Sequence, residues 1–355
     1  EYFQKIFLNL KNSEKNNIDI NFLNYDENTM PLYSAMIRVG DMPLNHKFLE
    51  HDSANLSMPI VLSNSSDISL RLKAAHKAYQ QGIFSAESLS ALYQTVDFSY
   101  DELSNSEATL SKLKTGIEIR MAYFFQKANI QLLPITRVQI LVDFWDFAEK
   151  QNLSLLAYDI SRNLLKSIEP SSELSEYSIQ IAKAHIYNKN FELASKWILF
   201  IENYESENLS FVEKIESLKL LYNLKNSADD NQFINILLNS DILNNLNEDT
   251  IKQEMLLTIL SVASENLENN LVGNRTLIDQ RSMPSMYLLN KIKNSSENNN
   301  FSELALSVNI TMIDKTWIEI HPEHLRIILY ALKKNNTQKI FNKIVLEILE
   351  ENKII

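Results

Sequence analysis

Ile181-Ala-Lys-Ala-His-Ile-Tyr-Asn-Lys-Asn-Phe191-Glu-Leu-Ala-Ser-Lys-Trp197 is the segment from which the fold is best read. A run of small and apolar residues ends at Tyr187, a polar turn follows, and a second run opens at Phe191. Asparagine tolerates positive φ, so a helix can stop here without glycine. Ala182, Ala184 and Ala194 leave room for two helices to approach closely. The segment predicts two helices joined by a tight turn, and a connection this short makes them antiparallel neighbours.

The same pattern continues in both directions. Asp67 to Gln81 places Leu72, Ala75 and Tyr79 at spacings of three and four, with Gly82 as the stop. Ser85 caps a helix to about Val96, with Leu89, Leu92 and Tyr93 on one face. Ser104-x-x-Glu107 has the form of a capping box and opens a helix to Ala128, in which Gly116 marks a break. Pro134 starts the next helix. Val138, Leu141, Trp145 and Ala148 form one stripe on it, and Ile140, Phe144 and Phe147 form another, so it is buried on two sides. Further helices are expected at Leu153–Ser167, Ser171–Tyr187, Phe191–Glu202, Leu209–Leu224, Asn231–Leu238, Asp249–Glu265, Pro284–Asn294, Phe301–Asp314, Pro322–Lys334 and Gln338–Glu351. Asn300-x-x-Glu303 is a further box-like start.

Composition agrees. The chain of 355 residues has only four glycines and seven prolines. An all-β fold needs many tight turns, and a nucleotide-binding α/β fold needs clustered glycines beside phosphate. The abundance of Asn, Lys and Ile fits an AT-rich gene, so Asn-x-Ser/Thr triplets such as those at Asn55, Asn64, Asn208 and Asn274 arise by chance and say nothing about glycosylation. With no cysteine, disulfides, zinc-thiolate sites and a Cys nucleophile are excluded. The net charge of −11 and the scattered Lys and Arg argue against nucleic acid as a partner. No stretch approaches the roughly 18 apolar residues of a membrane-spanning helix.

Three segments resemble halves of a tetratricopeptide-type helix pair: the one quoted first, Leu72-Lys-Ala-Ala-His-Lys-Ala-Tyr-Gln-Gln-Gly82, and Ile327-Ile-Leu-Tyr-Ala-Leu-Lys-Lys-Asn-Asn336. The first has the family's order of small residue, aromatic, tight turn, Phe and Ala. No strict repeat of about 34 residues persists. The resemblance implies a loose, irregular member of the TPR-like α-solenoids that binds partners on a concave face. It transfers no functional residue. The superhelical domain of bacterial soluble lytic transglycosylases is similar in style, but the Glu-Ser pair and glycine-rich substrate motifs of their catalytic part are not in this sequence.

Residues 1–65 read differently. They hold Pro31, Pro43, Pro59 and Gly40 with no sustained helical period. Met58 to Leu62 reads as an extended segment, and Tyr33 to Val39 as a short strand or one helical turn. The expected organisation is therefore an irregular N-terminal arm over 1–65, a first helical subarray over 66–265, and a C-terminal subarray over 266–355. The gap from Asn266 to Arg281, with Gly273, is a candidate mobile loop.

Reactive constellations are few. His321-Pro322-Glu323-His324, with Glu319, is the densest metal-like group, but a zincin needs two His four apart with Glu after the first. A helix start at Pro322 explains it better. His46, Glu50, His51 and Asp52 read as loop decoration. Asp143 with Asp146, and Asp97 with Asp101, read as polar edges of amphipathic helices; acid–base work needs a raised pKa in a pocket. No phosphate loop, nucleophile elbow or dinucleotide fingerprint occurs.

The sequence thus predicts an all-α protein: an irregular antiparallel helix-pair solenoid (a TPR-like superhelix) with an irregular N-terminal arm. The function expected first is a non-enzymatic scaffold or adaptor that binds a protein or extended peptide on a curved helical surface. No cofactor, metal or catalytic residue is assigned. Tyr123, Phe124, Phe144, Trp145 and Trp197 are the candidate contact residues, because aromatics dominate interface hot spots; burial in the core is the competing role. A cell-envelope protein contacting glycan or peptidoglycan fragments is the second expectation, and an enzyme of unrecognised type the third. The chain opens Glu1-Tyr-Phe-Gln without an initiator Met, so a removed signal or anchor, and both a cytoplasmic and a periplasmic location, stay open.

Overall fold

The structure is a computed structural model that describes residues 30–39, 41–50, 54–104, 106–113, 116–204, 209–240, 250–264, 281–334 and 337–355. For residues 54, 55, 106–108, 204 and 209–213 it describes the backbone alone. Gly40, His51, Asp52, the Glu107 side chain and nearly all of the gap between Asn266 and Arg281 lie outside the described residues. The described residues are helical throughout, with no strand. A single parallel bridge joins Ser282 to Ile320. No helix among them is long and apolar enough to cross a membrane.

The chain divides into two compact units, Glu1–Gln180 and Ile181–Ile355. In the first, α1 (Met30–Val39), α2 (Lys47–Glu50) and α3 (Ala54–Val61) precede α4 (Ile68–Gln80) and α5 (Ala86–Gln94). Next come α6 (Tyr100–Ser104), α7 (Ser106–Lys112), α8 (Ile117–Asn129), α9 (Pro134–Glu149) and α10 (Ser154–Leu165), then a 3-10 turn at Ser172–Tyr177. Consecutive helices pack on one another: α3 on α4, α4 on α5, α8 on α9 and α9 on α10. In addition, α8 lies against both α4 and α5. The alanine-rich α4 allows this, because Ala74, Ala75 and Ala78 are all fully buried. The first expected stripe of α9 is buried throughout (Val138, Leu141, Trp145 and Ala148); in the second, Ile140 and Phe144 are buried, while Phe147 is half-buried under the Arg120 guanidinium, 4.6 Å from its ring.

Where the expected irregular arm is described, it is largely helical. Among its described residues, Met30–Val39 and Ala54–Val61 are helices, and Met58 to Val61 lies within the second. Each buries a face that includes serine: Met30, Ser34, Met36 and Ile37 in α1, and Leu56, Ser57, Ile60 and Val61 in α3. A serine on the inner stripe hides the apolar period from a reader of sequence. Pro59 inside α3 adds to the disguise, since proline removes a helical hydrogen bond.

The unit boundary falls within α11 (Ser178–Tyr187). The second unit continues with α12 (Phe191–Tyr204), α13 (Leu209–Lys225), α14 (Asp230–Leu238), α15 (Thr250–Ala263), α16 (Met286–Glu297) and α17 (Phe301–Met312). A 3-10 turn at Trp317–Glu319 leads into α18 (Pro322–Lys334) and α19 (Gln338–Glu351). Helix α18 is central, packed on α15, α16 and α19. Its Leu325, Ile327, Ile328, Leu329 and Leu332 belong to one core with Leu256, Ile259, Leu289, Phe341 and Ile348. Packing here is not confined to consecutive helices, because α19 also meets α14. Asn342 donates to Asp230 at 2.8 Å and Lys225 pairs with Glu350 at 2.8 Å, which ties the last helix back to α13 and α14.

One device ends many of the helices. At Asp41, Gly82, Asn152, Lys189, Asn299 and Lys353 the backbone turns left-handed, with φ between 49° and 71°. The amide of each turn residue reaches the carbonyl three back, and the next amide reaches the carbonyl five back. Asn299 N to Ser296 O (3.2 Å) and Asn300 N to Ser295 O (2.9 Å) are one such pair. This is the Schellman stop, which prefers glycine; glycine occupies only one of the six.

Candidate interaction surface

The five aromatic residues singled out from the sequence all lie in the interior, none more than 6% exposed. Three of them meet in the first unit. Phe124 stacks near Phe144 (centroids 6.2 Å apart) and lies edge-on to Tyr123, whose hydroxyl donates to the Glu102 carbonyl at 3.1 Å. Trp145 packs on Tyr158 instead, and its indole N–H donates to Ser161 at 3.1 Å. Trp197, in the second unit, sits edge-on to Phe200, and its indole nitrogen is buried without a hydrogen-bond partner. In this arrangement the five residues fill cores and offer no surface.

The polar groups resolve into separate structural roles. His321 Nδ1 accepts from the Glu323 amide at 3.1 Å at the start of α18. Glu323 is forked to Arg326. Glu319 accepts from the Thr316 amide and hydroxyl at 2.8 and 2.9 Å, which holds its carboxyl below the usual range. His324 is fully buried. His46 and Glu50 form an exposed pair at 3.8 Å. Asp143 has a raised pKa, through burial first and Asp146 second, with Lys127 opposing. Burial in turn lowers Lys127. These two carry complementary charge between α8 and α9. Asp97 and Asp101 lie at the approach to α6 and in its first turn. Among the described residues, no group of three or more acidic or histidine side chains could hold a metal ion.

A different surface stands out on the hairpin of α16 and α17, which pack against each other. Helix α17 is apolar on both its inner and its outer face. It buries Leu304, Ser307 and Thr311, while Leu306 and Ile313 are each 61% exposed and Ile310 is exposed beside them. Leu306 and Ile310 are four apart in the helix and share one face; Ile313 follows at the C-cap, where the backbone has left the helix. The inward face adds Val308 and Met312, partly buried against the core. Thr311 occupies the interior because it serves His324, whose ring Nε2 lies 3.1 Å from the threonine hydroxyl. At the neighbouring end of α16, Met286 and Tyr287 are 67% and 70% exposed, and Met283 is exposed just before them.

Antiparallel pairing brings the start of α16 beside the end of α17, because only three residues separate the two helices. Neither stretch carries charge: residues 282–290 and 304–313 contain no Asp, Glu, Lys, Arg or His, in a chain that is 22% charged. An uncharged surface lined by Met, Ile, Leu and Tyr is adaptable and apolar. Periodicity could not have found it. Helix α17 has apolar residues on both faces, and only tertiary packing decides which face is inside. Comparison with known proteins returns nothing: no family model matches the chain, and no curated protein or solved structure matches it either.

Proposed function

We propose that the protein is a non-enzymatic helical scaffold that binds another protein through the uncharged face of α16 and α17. The supporting observation is the exposed apolar side of α17, where Leu306 and Ile310 share a face and Ile313 follows at the C-cap. Exposed apolar area of this kind is unfavourable in water and is stabilised when covered. The occupant proposed is an amphipathic helix of a partner protein. Two antiparallel helices leave a shallow furrow that suits a third, and the absence of charge selects an uncharged stripe. The net charge of −11 favours partners with basic flanks, which steer encounter and suppress acidic competitors.

A solenoid of tetratricopeptide-like pairs is the architecture proposed to carry this surface. It is supported by full burial of Ala182, Ala184 and Ala194 and by the repeated tight helix stops. The test places a photo-cross-linking amino acid at position 310 of the full chain in its native cells. The expected adduct is a protein whose cross-linked peptide has a helical apolar stripe, and it disappears when Leu306→Glu and Ile313→Glu are added. Retention of the adduct in that variant would sink the proposal, as would glycan fragments as the sole adduct.

A further inference from the structure

Sulfur stands exposed at one place in this chain. There is no cysteine, so the nine methionines carry all of it. Five of them lie in the cores at no more than 8% exposure, and Met58 and Met312 are half-buried. Met283 and Met286 alone are exposed, at 43% and 67%. They stand on either side of Pro284 and Ser285, at the entry to α16. That entry is pinned from both sides. The Ser282 amide donates to the Glu319 carbonyl at 2.8 Å, and the Ser282 carbonyl accepts from the His321 amide at 3.0 Å. Ser285 caps α16 by accepting from the Leu288 amide at 3.5 Å. The exposure of the two thioethers therefore belongs to a held segment.

Exposure decides which thioethers a peroxide can reach. A thioether has no proton to lose before it reacts, so access governs its rate. Its sulfur lone pair attacks one peroxide oxygen. The S–O bond forms as the O–O bond breaks, and sulfur gives up two electrons. The second oxygen takes the proton of the transferred one and leaves as water. The product, methionine sulfoxide, replaces a flexible apolar side chain by a polar one. Here it would place two polar oxygens beside Tyr287 and the end of α17, on a stretch that has no charged residue. An apolar partner covering them would strip each oxygen of water and offer no donor in return. We propose that Met283 and Met286 are a peroxide-sensitive modification site, whose oxidation closes the α16–α17 surface to an apolar partner. The closure rests on the docking role proposed above; the chemistry stands without it.

The test exposes the full purified chain to dilute hydrogen peroxide and maps methionine sulfoxide by peptide mass spectrometry. Met283 and Met286 should be oxidised on the order of tenfold faster than the other methionines, with helical circular dichroism unchanged. Retention on a hydrophobic-interaction column should fall over the same time course. Met283→Leu with Met286→Leu keeps volume and apolarity without sulfur, so its retention should match the untreated chain and not respond to peroxide. The photo-cross-linked adduct at position 310 should drop by about tenfold when cells meet peroxide before irradiation, and should persist in the leucine variant. A core methionine oxidised as fast, retention unchanged by oxidation, or an adduct lost equally in the leucine variant overturns the inference. No adduct before oxidation sinks the docking role and with it the closure, whereas selective oxidation with reduced column retention upholds the modification site on its own.

Discussion

His324 shows how much one buried side chain can determine. Thr311 donates its hydroxyl to the Val308 carbonyl at 2.8 Å, so its oxygen can only accept from His324. The imidazole therefore carries its proton on Nε2 and leaves Nδ1 as a buried lone pair with no partner. Protonation would add an unsatisfied donor in a dry site, and burial, then Lys315 and His321, lowers its pKa to about 4. His76 and His185 are likewise lowered to about 4 by burial. The sign follows directly. The folded state resists a proton that the unfolded chain accepts near pH 6.5, so stability is full above 6.5 and falls as pH drops toward 4. Each histidine contributes about 3 kcal/mol to that loss. His76 lies in the first unit and His185 and His324 in the second, so the second unit should lose about twice as much stability as pH falls from 6.5 toward 4, seen as a partial loss of helical circular dichroism. His324→Gln keeps a donor for Thr311 and cannot titrate. It should shallow the pH dependence of stability by one proton, about 1.4 kcal/mol per pH unit. An unchanged slope would show that His324 titrates normally.

At the scale of the helix, α17 reverses the usual rule for mutations. Ile310→Glu, on the outer face, should leave the melting free energy within about 0.5 kcal/mol. Thr311→Val, which replaces the inner-face hydroxyl by a methyl group of the same size, strands the His324 N–H and should cost about 1–3 kcal/mol. Denaturant titration of the two variants compares them directly; equal effects would mean that the face assignment is wrong. Caps behave more conventionally. Asp67 accepts from the Ser69 and Leu70 amides at the head of α4, and Asp67→Ala should cost about 1 kcal/mol.

Such local signals were mostly legible in the sequence. Asp67, Ser85 and Asn300 cap the helices expected of them, Gly116 is a true break, and α18 and α19 begin and end where their periodicity places them. Ser104 ends α6 by donating to the Asp101 carbonyl, and its expected partner Glu107 has its side chain outside the described residues. A second pair with the same spacing, Ser99 with Glu102, caps α6 reciprocally. The surfaces were not legible at all. An aromatic run such as Tyr123 to Phe125 signals burial and docking equally well, and the exposure of Met286 depends on neighbours distant in the chain.

At the scale of the molecule, two units imply two cores, and each holds its own tryptophan. Trp145 reports on the first; Trp317, bonded to Glu347 at 3.0 Å, reports on the second. Urea unfolding followed by Trp145 alone (in Trp197→Phe with Trp317→Phe) and by Trp317 alone (in Trp145→Phe with Trp197→Phe) is expected to give separate midpoints. Coincident curves would make the chain one cooperative body.

The left-handed helix stops have a consequence for how this protein could be improved. Five of the six are built from Asp, Asn or Lys, residues favoured by an AT-rich gene over the GC-rich codons of glycine. Left-handed backbone costs an L side chain about 1–2 kcal/mol, and asparagine least among them. Lys189 is therefore unspent thermal headroom. Lys189→Gly should raise stability by roughly 1 kcal/mol. A single substitution at a helix stop would then lift the melting temperature with every packed side chain left in place.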